Sequence, residues 1–421
     1  MLQQISSSPS PTPLGAVLAL TALCSLGTGV FWNGMAFIAK HAYDFTQTRN
    51  LLLYAMMGGI YTIGAFRAGA ITRWVERWLR PRDVLVVLVG VQAVVCLGPI
   101  AFQGQWALWL AVAGVTFLSS ILWPIIESYL TAGRHGASMR SAIGWFNLTW
   151  APAVALPLLL MAPILETHGE WAIGGFAAAN FLGLTALIWF APRPGHHDSG
   201  VAEAHVGSEY RLLLRSARVL LPLSYVLISA MNPILPYRFE AVGVEVGWET
   251  PATATWTIVR VVAFVVMWRM AFWHGRWGTL LLGAVTMTGG FALVVTGASL
   301  WLMLVGFASL GAGLGVIYYA ALYYALSVGG ARVDAGGTHE GLIGAGYAVG
   351  PLAALVGGHL PRTFGLKIAD GAGIVAIVWA LIALAGVPAV RPYLHARKLR
   401  KQEVTGSSPV RSTRSKPQPD R

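Results

Sequence analysis

The chain has 421 residues, of which 56% are apolar and only 11% charged, and its formal net charge is +12. A soluble domain carries about a quarter charged residues, so the composition excludes an ordinary water-soluble protein and points to a membrane. Nucleic-acid binding is not expected either, because nine of the 29 basic residues lie after Val390 and most others sit in short loops between apolar segments.

Twelve segments reach the roughly 20 residues needed to cross a bilayer. They lie near residues 14–38, 51–72, 83–102, 106–131, 141–163, 171–191, 217–237, 251–270, 278–297, 300–327, 339–360 and 370–390. The first lacks a basic start and a cleavage site, so it reads as a span rather than a removable signal. Seventeen tryptophans suit the two membrane interfaces. Cys24 and Cys96 both fall inside apolar segments, which leaves no basis for a disulfide framework or a thiolate metal site.

The loops alternate in charge. Those after the even-numbered spans, with the span ends that flank them, hold fourteen Lys and Arg, among them Arg67, Arg73, Arg77, Arg80 and Arg82, against five on the opposite side. Basic loops stay inside the cell, so both termini are expected to be cytoplasmic in a multi-pass protein of the cytoplasmic membrane. The longest interior loop follows the sixth span and splits the chain into residues 1–191, a cytoplasmic linker 192–216, and residues 217–390. Residues 391–421 are basic, then Ser- and Pro-rich, and are expected to form a disordered cytoplasmic tail. The basic part should be drawn to anionic lipid.

The two six-span parts echo each other. Ala142-Ile143-Gly144 runs on to Pro152 in the fifth span, and Leu342-Ile343-Gly344 runs on to Pro351 in the eleventh. Aligning Gly133 with Gly329 sets Trp123 opposite Tyr319 and Glu127 opposite Tyr323. An i,i+4 spacing puts each pair on one helix face.

This layout of twelve spans in two six-span halves, with a cytoplasmic middle loop and cytoplasmic ends, resembles the major facilitator superfamily of secondary transporters. The resemblance covers roughly residues 14–390. The family carries a glycine-acid-basic signature after its second span, and the slot here reads GAITRWVERWLRPRD from Gly69, without the early aspartate. The eleventh span's GYAVGPLAALVGG is similar to the family's antiporter motif, which belongs in the fifth span. The resemblance implies an all-α integral membrane protein with two pseudo-symmetric six-helix halves. It further implies a central cavity bordered by the first, fourth, seventh and tenth spans.

Polar groups inside the spans are the candidate site. Arg260 lies mid-way along the eighth span, TATWTIVRVVAFVVMW. Arg keeps its charge, so at that depth it needs an anion, carbonyl groups or water. An anionic substrate group, a pairing with Glu127 or Glu340, and a structural role on backbone carbonyls are all open. Glu127 follows Pro124 in LSSILWPIIESYL. A desolvated carboxyl that gains and loses a proton is what a proton-coupled carrier requires, and a gate salt bridge to Arg134 or Arg140 is the other reading. Glu340, beside a surface-type His339, reads either as a second coupling or gate group or as a helix N-terminal acid favoured by the helix dipole. The glycines of Gly336–Leu360 should let neighbouring helices approach that segment closely.

Asn33, Asn147, Trp123, Tyr319, Tyr323 and Asn232 complete the expected substrate-binding set, with Trp32, Trp150, Tyr225 and Ser229 as further candidates. Together they suggest a solute with an apolar or ring component, anionic or amphipathic.

Two function classes follow. The first is a secondary active transporter of a small organic solute, proton-coupled, working by alternating access as a monomer in the bilayer. The second is a membrane-embedded enzyme or receptor-like binder. GxxxxGK[ST], HExxH and GxSxG are all absent from the sequence, so it offers no signature of a nucleotide-driven pump or of a clustered catalytic site. No cofactor or metal is expected.

Overall fold

The fold is taken from a computed structural model that describes residues 12–102, 104–134, 136–195, 208–328, 333–365 and 371–404. All regular structure among them is helical. Twelve stretches are long and apolar enough to cross a membrane: α1 Leu14–Tyr43, α2 Gln47–Val75, α3 Pro81–Ala101, α4 Gln105–Thr131, α5 Ser141–His168 and α6 Glu170–Trp189, then α7 Glu209–Ala241, α8 Val246–Arg269, α9 Trp277–Thr296, α10 Leu300–Ala325, α11 Gly337–Pro361 and α12 Ala372–His395. A helix satisfies its own backbone polar groups, which a hydrocarbon solvent demands. The outward faces are apolar: Ile63, Leu110, Ile188, Trp301 and Leu384 are each more than 60% exposed. Such side chains suit lipid, not water. The protein is a multi-pass membrane protein.

Helices from each part of the chain pack mainly on one another. In the first part α1 packs on α5 and α6, α2 on α4, and α3 on α4 and α6. In the second, α7 packs on α10, α11 and α12, while α10 also packs on α8 and α9. The two sets meet chiefly where α11 lies along α2 and α4, and where α8 lies along α5.

Glycines set these approaches. A Cβ on Gly344 would run into the Thr62 backbone of α2. On Gly346 or Gly350 it would hit the α7 backbone at Pro222 or Val226. The antiporter-like glycines of α11 therefore hold α11 against α7, and Gly357 does the same against Gly373 of α12.

Two helices are broken at facing points. A π-helical turn spans Gly29–Gly34 of α1, and a 3-10 turn spans Asn232–Ile234 of α7, where Pro233 lacks a backbone donor. Asn232 Nδ2 donates to the Trp32 carbonyl at 2.8 Å and to Asn33 Oδ1 at 3.1 Å, joining the breaks.

Three boundaries differ from the sequence expectation. The helix carrying α7 begins at Ser208, that carrying α11 at Val333, and that carrying α12 runs on to Val404. Each extension is rich in charge or small polar residues, which continue a helix past the hydrocarbon once the apolar part has nucleated it. The segment expected to be a disordered tail is thus helical from 391 to 404, and 405–421 lie outside the described residues.

Candidate functional site

A cavity opens where helices of both parts meet, and eight of the side chains lining it are aromatic. Trp32, placed by the π turn of α1, stacks on Tyr347 of α11 with ring centres 3.9 Å apart. Tyr61 of α2 meets Trp32 edge-on at 5.6 Å, and Tyr225 of α7 meets Tyr347 at 5.0 Å. On the other wall Trp150 of α5 packs edge-on against Tyr318 of α10 at 5.4 Å. Trp123 of α4 lies edge-on to Phe146 at 6.5 Å. Offset and edge-to-face contacts of this kind are the favoured arrangements of aromatic pairs.

Two carboxyl groups share that cavity. Glu127 of α4 and Glu340 of α11 lie within hydrogen-bonding reach of each other. A bond between two carboxyls needs one proton between them, since like charges that close do not both persist. The Tyr61 hydroxyl donates to Glu340 Oε2 at 2.5 Å. Glu340 is 8% exposed. Because its helix starts at Val333, it sits well inside the helix and is not the helix N-terminal acid considered from sequence.

His339 departs from expectation as well. Its Nε2 is enclosed without a partner and its ring lies 6.0 Å from that of Tyr318, so it is no surface histidine. The gate salt bridge from Glu127 to Arg134 is not formed. Arg134 donates instead to the carbonyls of Tyr129, Leu130 and Thr12. Burial there pulls the guanidinium pKa down from its ordinary value. The Arg140 side chain lies outside the described ones.

Arg260 is buried, 4% exposed, with its guanidinium packed over two indoles. Its Cζ is 4.5 Å from the Trp150 ring centre and 4.8 Å from that of Trp256. It makes no ion pair with Glu127 or Glu340, and its Nε is enclosed with no acceptor. Trp150 is held in place by Asn147, whose Oδ1 accepts from the indole Nε1 at 2.8 Å.

The expected site residues therefore divide. Trp123, Glu127 and Glu340 line the cavity, and Arg260 and Asn147 stand one side chain behind it against Trp150. Asn33 and Asn232 bond to one another and do not line it. Tyr319 and Tyr323 are also off the cavity, packed on Trp273 at 6.0 and 4.9 Å, with Tyr323 stacked on His274. One residue is about 100° of helix rotation, and α10 is turned so that Tyr318 faces inward instead.

Tyr61, Tyr318 and Tyr347 were missed because a tyrosine in an apolar helix is usually packing. The signal that finds them is their helices' contact with the two acids.

Twelve spans around a buried polar and aromatic cavity can be set against solved folds. A bacterial homologue of the human lysosomal transporter Spinster, inward-facing and occupied, aligns with a TM-score of 0.60 at 16% identity, over 93% of this chain and 98% of its own. The nucleoside transporter NupG gives 0.62 at 12% identity, over 90% and 98%. A bacterial homologue of the human drug peptide transporters PepT1 and PepT2 gives 0.66 at 15% identity, over 92% and 98%. No family model and no curated protein matches the sequence. The protein has the major-facilitator fold.

Proposed function

We propose that the protein is a secondary active transporter that moves a small organic solute across the cytoplasmic membrane by alternating access, coupled to protons. The observation that carries this reading is the Glu127–Glu340 pair, one carboxyl from each part of the chain, inside an aromatic cavity at their junction. Rocking the parts around a fixed mid-membrane site is the general working of such folds. Here that motion has to part the two carboxyls, and the shared proton must then go to one of them or leave. Protonation and conformation are thereby tied to the same contact.

The far end of the bundle, opposite the chain termini, supports a state closed on that side. His41 Nε2 meets Glu249 Oε2 at 2.8 Å, and Lys40 Nζ meets Glu240 Oε2 at 2.8 Å. Asn50 Nδ2 donates to the Tyr237 hydroxyl at 3.0 Å, and that hydroxyl donates to the Phe45 carbonyl. All four tie α1 or α2, or their connection, to α7 or α8. With both termini cytoplasmic, the closed end faces outward. The lining favours a solute with a ring.

The test begins with a ligand-dependent thermal-shift screen across metabolite and drug classes, then uptake in proteoliposomes. Glu127→Gln and Glu340→Gln should each abolish accumulation driven by a pH gradient while leaving solute exchange in place. Full gradient-driven accumulation in both variants would remove proton coupling through this pair.

A further inference from the structure

We infer that Arg260 anchors the charged group of the solute, and that the solute is a ring-bearing organic monoanion, a carboxylate in the first instance. This rests on the carrier reading above. The inference starts from how the guanidinium is held. Cζ lies over the rings of Trp150 and Trp256, 4.5 and 4.8 Å from their centres, so two indole π-systems pack against the guanidinium. Its N–H groups lie along its planar rim. A planar rim of parallel donors is the shape that grips a carboxylate with two bonds.

None of those donors is used. Among the described residues nothing accepts from Nε, Nη1 or Nη2, and of the three only Nε is enclosed. The charge is fixed and lies near the middle of α8, where an uncompensated cation is costly. The two acids that face the same cavity make no ion pair with it and are engaged with each other and with Tyr61. Tyr225, Tyr318 and Tyr347, all on the cavity wall, lie near enough to the guanidinium to interact with its charge.

The number of charges narrows the ligand. Among the described residues no Lys, Arg or His lines the cavity itself, and Arg260 stands against its Trp150 wall. One guanidinium compensates one negative charge. A dianion such as a phosphate monoester would carry its second charge into a site that already holds the carboxyl pair, at a desolvation cost nothing offsets. A ring, by contrast, finds Trp32, Trp123, Trp150 and Tyr347 as flat partners. Binding of a monoanion also raises the negative charge beside Glu127 and Glu340, which favours entry of a second proton. By linkage the proton favours the anion to the same degree.

The experiment compares one ring with four heads on the purified full-length protein: 2-naphthoate, 2-naphthamide, 2-naphthylmethylammonium and 2-naphthyl phosphate, by calorimetry with melting temperature as control. The carboxylate should bind at least tenfold tighter than the other three. Arg260→Lys, which keeps the charge and loses the fork, should lose at least tenfold for 2-naphthoate alone. Arg260→Met should bring carboxylate and amide to equal affinity. Failure of 2-naphthoate to bind the wild type at millimolar concentration, equal or tighter binding of the amide, ammonium or phosphate, or undiminished carboxylate affinity in Arg260→Met would each overturn the assignment.

The wild-type series stands even if a variant does not fold. Proteoliposomes separate the two readings. Carboxylate binding without any transmembrane movement refutes the carrier and leaves the anion site, whereas movement of the amine in place of the acid does the reverse.

Discussion

Tyr61 shows how much one side chain contributes to the centre of this protein. It crosses from α2 to α11 to reach Glu340, and its ring is edge-on to Trp32. A hydrogen bond to a charged group contributes about 1.5–3 kcal/mol. Tyr61→Phe keeps the ring and removes only that bond, so it should lower the melting temperature in detergent while preserving the far-ultraviolet helix signal. An unchanged melting temperature would mean that the bond carries no net stability. Arg260 and the two acids were legible from sequence because a charge inside an apolar run is conspicuous on its own. Tyr61 and Tyr347 were not, because an aromatic residue in a membrane helix looks the same whether it packs or binds.

At the scale of the helix, close approach is decided residue by residue. Gly58 and Gly59 are neighbours on α2, yet a Cβ on Gly58 would strike the α11 backbone at Tyr347 and Ala348, while one on Gly59 meets nothing within 4 Å. Overpacking a tight contact costs about 1–3 kcal/mol. Gly58→Ala should therefore lower thermal stability clearly, and Gly59→Ala should leave it within experimental scatter. Equal effects would show that α2 and α11 are not held by this contact. Sequence identified α11 as the glycine-rich helix that neighbours approach, and the small-residue spacing was enough for that. Which neighbour each glycine meets depends on the crossing of three helices, α2, α7 and α12, and no local pattern encodes a crossing.

Across the whole molecule, the proposed alternating access makes the contacts at the far end a closure to be tested. His41 and Glu249 are 12% and 1% exposed as side chains, so the pair is largely shielded from solvent. Removing one partner of a buried pair costs about 3–5 kcal/mol. Spin labels at the exposed Thr48 and Glu245 should report one short distance in the wild type and a second, longer one in Glu249→Gln. A single unchanged distance would show that this pair does not hold the end shut. Orientation is testable as well. Reporter fusions after Asp198 and Ala396 should behave as cytoplasmic and those within 164–170 as exported, and the opposite pattern would invert the assignment of outside and inside.

The sequence by itself determined the solvent, the number of spans and the all-helical class. Those follow from apolar run length and from the need of every backbone polar group for a partner in lipid. It also located Glu127, Arg260 and Glu340 inside the spans, but not the buried Glu249. Tertiary structure alone decided their relations. It paired the two acids 213 positions apart in the chain (340 minus 127) and packed Arg260 over Trp150 and Trp256. It also turned α10 so that Tyr318 faces the cavity in place of Tyr319 and Tyr323. A helix fixes which residues share its own face, but the rotation of that face toward a neighbour is set only when the helices pack together.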